Sequence, residues 1–440
     1  ARASAGAVGD QCSRAFTALR QACLRRLQEF QAQALSNTAW AFARVAWDEA
    51  ASDHGFPEVL ASAAARVEVW PQAQRLANTA WALSRLAVTA VQPAGGEAFW
   101  RRCAAELVQG QALRRCNQEE LAATVTALAL AGALDAPLAA AVASEACGRL
   151  SGAGLGLRCL AGVAWSFATT GCCNMPLFLC IEKAALNALE GAQEEGVAIT
   201  GENLKSLLGL SWAFAFAGVA GGAHGQLPRT ALSALVGAGA AMDQQRRNAL
   251  SAIPPVPTLA AAPGPAPKFV AELLGREAYV LFKPPGWEVD TGEDPSPGGG
   301  RVAGRRLVSE FVRAAMPGAA IVEDLVHGRG LLHRLDANSS GLVLGALTYQ
   351  AFYRLHWALH TYQVDREYVA LSHGLVDPRL REIEKRLVLR GKASQVVDCA
   401  GLPARTRLKV LAHLRRPTAA GGGHFSLLSL SIHTGRQHQI

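Results

Sequence analysis

One phrase returns five times in the first 245 residues. LSNTAWAFARV begins at Leu35, LANTAWALSRL at Leu76, LAGVAWSFATT at Leu160 and LLGLSWAFAFA at Leu207, with a weaker copy, LAATVTALALA, at Leu121. The starts lie about 40 residues apart, the period of helix-pair repeats. In the first copy Leu35, Thr38, Ala39, Phe42 and Ala43 share one helical face, and amphipathic stretches between copies, such as residues 57–69, supply the second helix. Such a unit cannot bury its apolar face alone and stacks on its neighbours. The expected fold of residues 1–248 is therefore an all-α solenoid of about five helix-pair repeats, a binding surface rather than a catalytic one. Composition agrees. Half of the 440 residues are hydrophobic but only 6% are aromatic, which favours close-packed helices over a β-sandwich.

Trp40, Trp81, Trp165 and Trp212 occupy one repeat position, where the weak copy has Thr126. A Trp at fixed register in an apolar helix is expected to be core; stacking on nucleic-acid bases is the rival reading. Arg44 and Arg85 share another position, filled by Leu130, Thr169 and Phe216 in the later copies. They are expected to be solvated surface. Residues 207–223 form an apolar run that is one copy of the repeat and falls short of the roughly 20 residues a membrane span needs, so no membrane partner is expected. The ten cysteines show no metal-ligand spacing; reduced thiols of an intracellular protein are expected, with no metal. No secretory signal is visible. The chain opens at Ala1 without Met, and its true start is expected upstream. The Arg-rich opening, with Arg2, Arg14, Arg20, Arg25 and Arg26, fits either an organelle-targeting segment or the first helix. Plastid or mitochondrion is therefore one expected location, with cytoplasm and nucleus the others.

From residue 249 to 268 the chain is rich in Pro and Ala, with six Pro from Pro254 to Pro267, and reads as a semi-extended linker. Beyond it the texture changes. Residues 268–440 hold 23 Lys and Arg against 16 Asp and Glu, most of the net charge of +8, so a polyanion is expected to be gripped here. Short β-type runs start at Ala278, Gly341, Tyr368, Thr406 and Phe425, and residues 349–362 read as a helix. The expected domain, 269–440, is α+β with a mainly antiparallel mixed sheet. In LLHRLDANSSGLVLG, Asp336 follows His333 and Arg334 at a loop leading into a strand. A neighbouring Arg is expected to keep the carboxylate ionised. Taken alone, Asp336 reads as a turn cap or structural ion pair.

Two resemblances complete the reading. The L-x-N-T-A-W-A phrase resembles the repeats of octotricopeptide-type and RAP-associated proteins, RNA binders of plastids and mitochondria. Residues 269–440 resemble the RluA-type pseudouridine synthases at four ordered places: YVLFKPPGWEVD (279–290), HRLDANSSGLVL (333–344), REYVALSHG (366–374) and HTGRQHQI (433–440). The second resemblance implies isomerisation of uridine to pseudouridine in rRNA, tRNA or mRNA without cofactor or metal. It also implies a catalytic Asp336, with Arg334 filling the space left by an extruded uridine and Tyr368 packing on the base. Substrate contacts are implied for His333, Ser339, Lys283, Arg436 and His438. Departures are Ser339 in place of Thr, Trp287 to Asp290 in place of V-H-P, and Arg366 in place of Lys. The chain stops at Ile440, before the arginine that pairs with the family's aspartate, so this form is expected to be inactive or poorly folded and a longer one active. A decayed or truncated RNA-binding protein is the alternative function, and protein partners of the solenoid are a further one. Turnover on a short RNA is expected to survive deletion of residues 1–250.

Overall fold

The computed structural model describes residues 2–45, 55–86, 96–109, 111–150, 155–195, 199, 201–219, 221–249, 265–290, 306–390, 393–397, 400–416, 423–436 and 439–440. Among the described residues twelve helices come first: α1 (Arg2–Arg26), α2 (Ala32–Val45), α3 (Phe56–Ala65), α4 (Ala73–Arg85), α5 (Gly96–Val108), α6 (Ala112–Arg115), α7 (Gln118–Ala131), α8 (Ala136–Leu150), α9 (Leu157–Thr170), α10 (Met175–Glu194), α11 (Gly201–Ala217) and α12 (Gln226–Ala249). Most of the predicted linker lies outside the described residues. By compactness the chain divides into one unit of Ala1–Cys12, Leu189–Ser211 and His224–Thr361, and another of Ser13–Ala188, Trp212–Ala223 and Tyr362–Ile440. Each unit thus combines repeat helices with parts of the α+β region.

In the unit that begins at Ser13, α2, α4, α7 and α9 pack on one another in sequence order. A second row runs through α3, α5 and α8. This is a helix-pair solenoid. Local chemistry sets the ends: the Asn117 side chain accepts from Glu120 N–H at 2.9 Å and Glu120 accepts from Asn117 N–H at 3.0 Å, a capping box opening α7. Gly132 and Gly171, both at φ 73°, close α7 and α9. The repeat's Leu, Ala and Phe positions form the core, with Leu35 and Ala39 at 0% exposure and Phe42 at 1%.

The repeated tryptophans are not core. Trp40 is 46% exposed, and Trp81, Trp165 and Trp212 are half-buried. The position lies five residues after the repeat's leucine, about 140° around a helix turning about 100° per residue, so it faces away from the core. Thr126 replaces Trp where α7 and α9 approach: Thr126 Oγ1 donates to Gly162 O at 3.5 Å and accepts from Ser166 Oγ at 3.3 Å.

The same unit holds a five-stranded antiparallel sheet, made of β6 (Glu367–His373), β7 (Glu382–Arg390), β8 (Ala393–Val397), β9 (Leu402–Arg416) and β10 (Gly423–Ile432) in the order β6-β10-β9-β7-β8. Leu408, Leu428 and Leu430 form its core, with Tyr368 and Val410 packed against them. The repeats dock onto this sheet through their helix ends. Gly401 N–H donates to Leu130 O at 2.7 Å, and Arg386 donates to Thr169 O at 2.7 Å and to Gly401 O at 2.8 Å. Leu130 and Thr169 are in the last turns of α7 and α9, whose carbonyls lack intrahelical partners and carry the negative end of the dipole. The contact continues at residues 212–217 of α11, where Phe216 stacks on Trp212 at 4.8 Å and lies 6.4 Å from Tyr362 and 6.2 Å from His433.

The other unit contains a three-stranded antiparallel sheet, β1 (Lys268–Leu273), β2 (Ala278–Lys283) and β5 (Gly341–Ala346), in the order β1-β2-β5. Short parallel strands β3 (Trp287–Glu288) and β4 (Arg306–Leu307) lead into α13 (Val308–Ala315), and β5 leads to α14 (Tyr349–His360). Helix α12 packs on α14. Asp243 of α12 accepts the N–H groups of Tyr349 and Gln350 at 2.9 and 3.0 Å, capping α14 from outside. Gly239 permits the approach: a Cβ there would lie 2.7 Å from the Gln350 backbone.

Candidate active site

The loop 333–340 leaves the β-bridge at Leu331 and enters β5. Leu332 N–H donates to Leu344 O, and Leu344 N–H donates to His333 Nε2, each at 3.1 Å. His333 therefore braces the base of the loop through a ring nitrogen that carries no proton. Ser339 N–H closes a turn on Asp336 O at 3.0 Å. Within it Arg334, Asp336 and Ser339 are all exposed.

Lys283 holds this loop from beneath. It is fully buried, at 0% exposure. Its ammonium donates to Pro284 O at 3.2 Å, Trp287 O at 2.8 Å and Ala337 O at 3.1 Å, so all three protons are used. Gly286, at φ 83°, turns its N–H onto the same Ala337 O at 2.7 Å. Burial pushes the Lys283 ammonium below its ordinary value, and the Asp336 charge partly offsets this. The expected substrate contact is thus replaced by a clamp joining the K-P-x-G turn to the aspartate loop: a buried, fully bonded ammonium has no donor left for a ligand.

Sequence reasoning missed two supports. Asp290, one of the departures from the family pattern, accepts from Ser309 N–H at 3.2 Å and from the Ser309 hydroxyl, fixing the start of α13, with Arg329 at 3.8 Å. Asp324 accepts from Tyr349 Oη at 2.9 Å and pairs with His327 Nδ1 at 2.9 Å, while His327 Nε2 meets Tyr353 Oη at 2.9 Å. Only the polarity of D-x-x-H at 324–327 hinted at this network.

The remaining candidates fall in the other unit. Tyr368 lies on β6 opposite Leu430, half-buried, and its hydroxyl is pushed up by burial, with Arg366 acting against that. Arg366 donates to His433 O at 3.0 Å. Gly435 leaves the space for it, since a Cβ there would lie 2.3 Å from the Arg366 guanidinium. Arg436 is turned inward: its Nε donates to Pro403 O at 3.0 Å and its guanidinium lies 5.6 Å from the Trp212 ring centre. Burial lowers its proton affinity. Gln439 locks the segment, accepting from Thr434 Oγ1 at 3.0 Å and Arg436 N–H at 2.9 Å and donating to Arg405 O at 3.1 Å. Arg436, expected at the substrate, is turned inward with its Nε on Pro403 O and its face toward the Trp212 indole, while its Nη2 is buried without a hydrogen-bond partner. His438 lies outside the described residues. No cluster of His, Cys, Asp or Glu fit to hold a metal ion occurs among the described residues.

Residues 309–440, which include the braced Asp336 loop and α14, match the family model of RNA pseudouridylate synthase. The chain is 31% identical over 165 residues to ribosomal large subunit pseudouridine synthase C of Yersinia pestis, covering 37% of this chain and 44% of that one. It is 33% identical over 118 residues to synthase D of the same organism, covering 25% and 32%. It thus spans less than half the length of either relative.

Proposed function

We propose that this protein converts uridine to pseudouridine in RNA. The reaction breaks the C1′–N1 bond, joins C1′ to C5, and exchanges a proton from C5 for one on N1, so no oxidant or reductant is required. Asp336 acts at the ribose–base linkage, Arg334 fills the space of the extruded nucleotide and Tyr368 packs on the base. Extrusion of a stacked uridine costs a few kcal/mol, which a cation and an aromatic wall offset. The observation that carries this reading is the Asp336 loop: its side chains are exposed while Lys283 and Gly286 fix its backbone at Ala337, the rigid presentation a nucleophile or base needs. The helical repeats aid RNA recognition. Asp336→Asn is expected to cut pseudouridine formation on a mixed RNA pool at least about 100-fold while leaving RNA affinity nearly unchanged, since no positive charge is lost. Turnover by that variant at the parent rate would refute the reading.

A further inference from the structure

We propose that Arg366, Arg436 and Tyr362 form a binding site for a phosphate dianion, at the place where residues 212–217 of α11 meet the segment Thr434 to Gln439. The site lies in the unit that does not contain Asp336 and stands whether or not the chain converts uridine.

Strand pairing gathers the cations. Arg386 on β7 lies opposite Pro403 on β9, and Arg436 Nε donates to Pro403 O at 3.0 Å. Arg366, just before β6, reaches the same segment and donates to His433 O at 3.0 Å. The Arg386 guanidinium is committed to Thr169 O and Gly401 O. Arg366 and Arg436 are not fully committed: Nε of Arg366 and Nη2 of Arg436 are buried without a hydrogen-bond partner. The Tyr362 hydroxyl, close enough to act on both guanidinium groups, is buried in the same way, the neighbouring Trp212 indole falling short of a hydrogen bond. Buried donors are nearly always paired, and three in one cluster call for an acceptor.

Charge defines that acceptor. Burial, with the charges of Arg366 and Arg386, lowers the proton affinity of Arg436, and among the described residues no carboxylate acts on it or on Arg366. Glu382, which acts on the adjoining His433, is already shared by Arg405 and Arg407 at 2.6 and 3.5 Å. Two guanidinium charges thus stand uncompensated beside the rings of Trp212, Phe216 and Tyr362, where water screens them poorly. A doubly charged phosphate matches them, and its oxygens accept from planar guanidinium forks and a phenol O–H. A phosphodiester within a strand brings only one charge. Tyr362 is also held at φ 60°, in the left-handed region that bulky residues rarely adopt, and such strain gathers at ligand clamps.

The test is isothermal titration of the whole protein with inorganic phosphate, as the dianion, at constant ionic strength. One phosphate per chain is expected to bind with a Kd of about 0.1 mM. Arg436→Gln is expected to weaken binding at least about 10-fold and Tyr362→Phe about 5-fold. Tyr362→Phe keeps the ring that stacks on His433 and removes an unpaired hydroxyl, so its melting temperature without phosphate should hold or rise. That keeps the test decisive if Arg436→Gln unfolds. Phosphate should raise the melting temperature of the parent, and that of Tyr362→Phe by less. Two competitors, uridine 5′-monophosphate and an oligouridine without terminal phosphates, separate the sources. Displacement by the monophosphate alone extends the site to the terminal phosphate of a nucleotide, and displacement by neither restricts it to the free ion. Displacement by the oligouridine would put a strand's phosphodiester in place of the dianion and overturn the assignment. So would the absence of phosphate binding, or binding that both variants leave unchanged.

Discussion

The loop around Asp336 and the segment Thr434 to Gln439 both match synthase motifs, yet they are built in opposite ways. The first puts its charged side chains in solvent and hides its support, a single buried lysine with three carbonyl partners. The second buries its arginine against an indole and knits its backbone together through Gln439. A motif arginine or lysine is thus no guide to ligand contact; what its donors already hold decides the matter. In this molecule the Asp336 loop leaves its charges in solvent, while Lys283 has all three of its donors engaged by the backbone.

The most severe way to break that contrast is Lys283→Met. Three carbonyls lose the ammonium donor, Ala337 O keeping only the Gly286 N–H, and the unfolding free energy is expected to fall by about 3 kcal/mol. Turnover should fall about 10-fold or more, and amide exchange across residues 333–340 should quicken. A variant with parent exchange rates would show that the loop does not depend on the clamp. Next comes Trp212→Leu, which takes away the aromatic face over Arg436 and is expected to cost about 1–2 kcal/mol in urea unfolding. The contrast is sharpened if that variant loses stability while its KM for RNA holds.

The smallest effect is a pH dependence. Burial, then the charges of Arg405, Arg407 and Arg366, push His433 below the ordinary histidine value of 6.5. The folded state therefore resists protonation that the unfolded chain accepts. Stability is complete above about pH 6.5, declines as the pH drops below that value, and levels off beneath the folded-state value. The expected loss is under about 1 kcal/mol, because the ring is only partly buried. His433→Phe keeps the stacking on Tyr362, at 3.9 Å, and should remove the decline; an unchanged acid limb would place the titrating group elsewhere.

The repeat period and the strand alternation of residues 425–432 were legible because they are periodic along the chain. The site aspartate was legible through its motif. The tryptophans were misread because apolarity at fixed register does not say which face a neighbour covers. Strands β7 and β8 and helix α13 went unseen: β7 is laden with charge, and α13 is only eight residues long. The burial of Lys283 and Arg436 depends on residues distant in sequence, Ala337 and Trp212. The expected survival of turnover without residues 1–250 has to contend with contacts that cross that boundary. That deletion strips the cap from α14 and takes away the helix ends bonded by Arg386 and Gly401.

The bonds from Gly401 to Leu130 and from Arg386 to Thr169 fix two successive repeats in phase with one edge of a sheet. Inserting or deleting a unit between them would put both tethers out of step at once. Before them, at α2 and α4, units can be gained or lost without disturbing either tether. The two tethers therefore make repeat number rigid between α7 and α9 and leave it unconstrained by the sheet at α2 and α4.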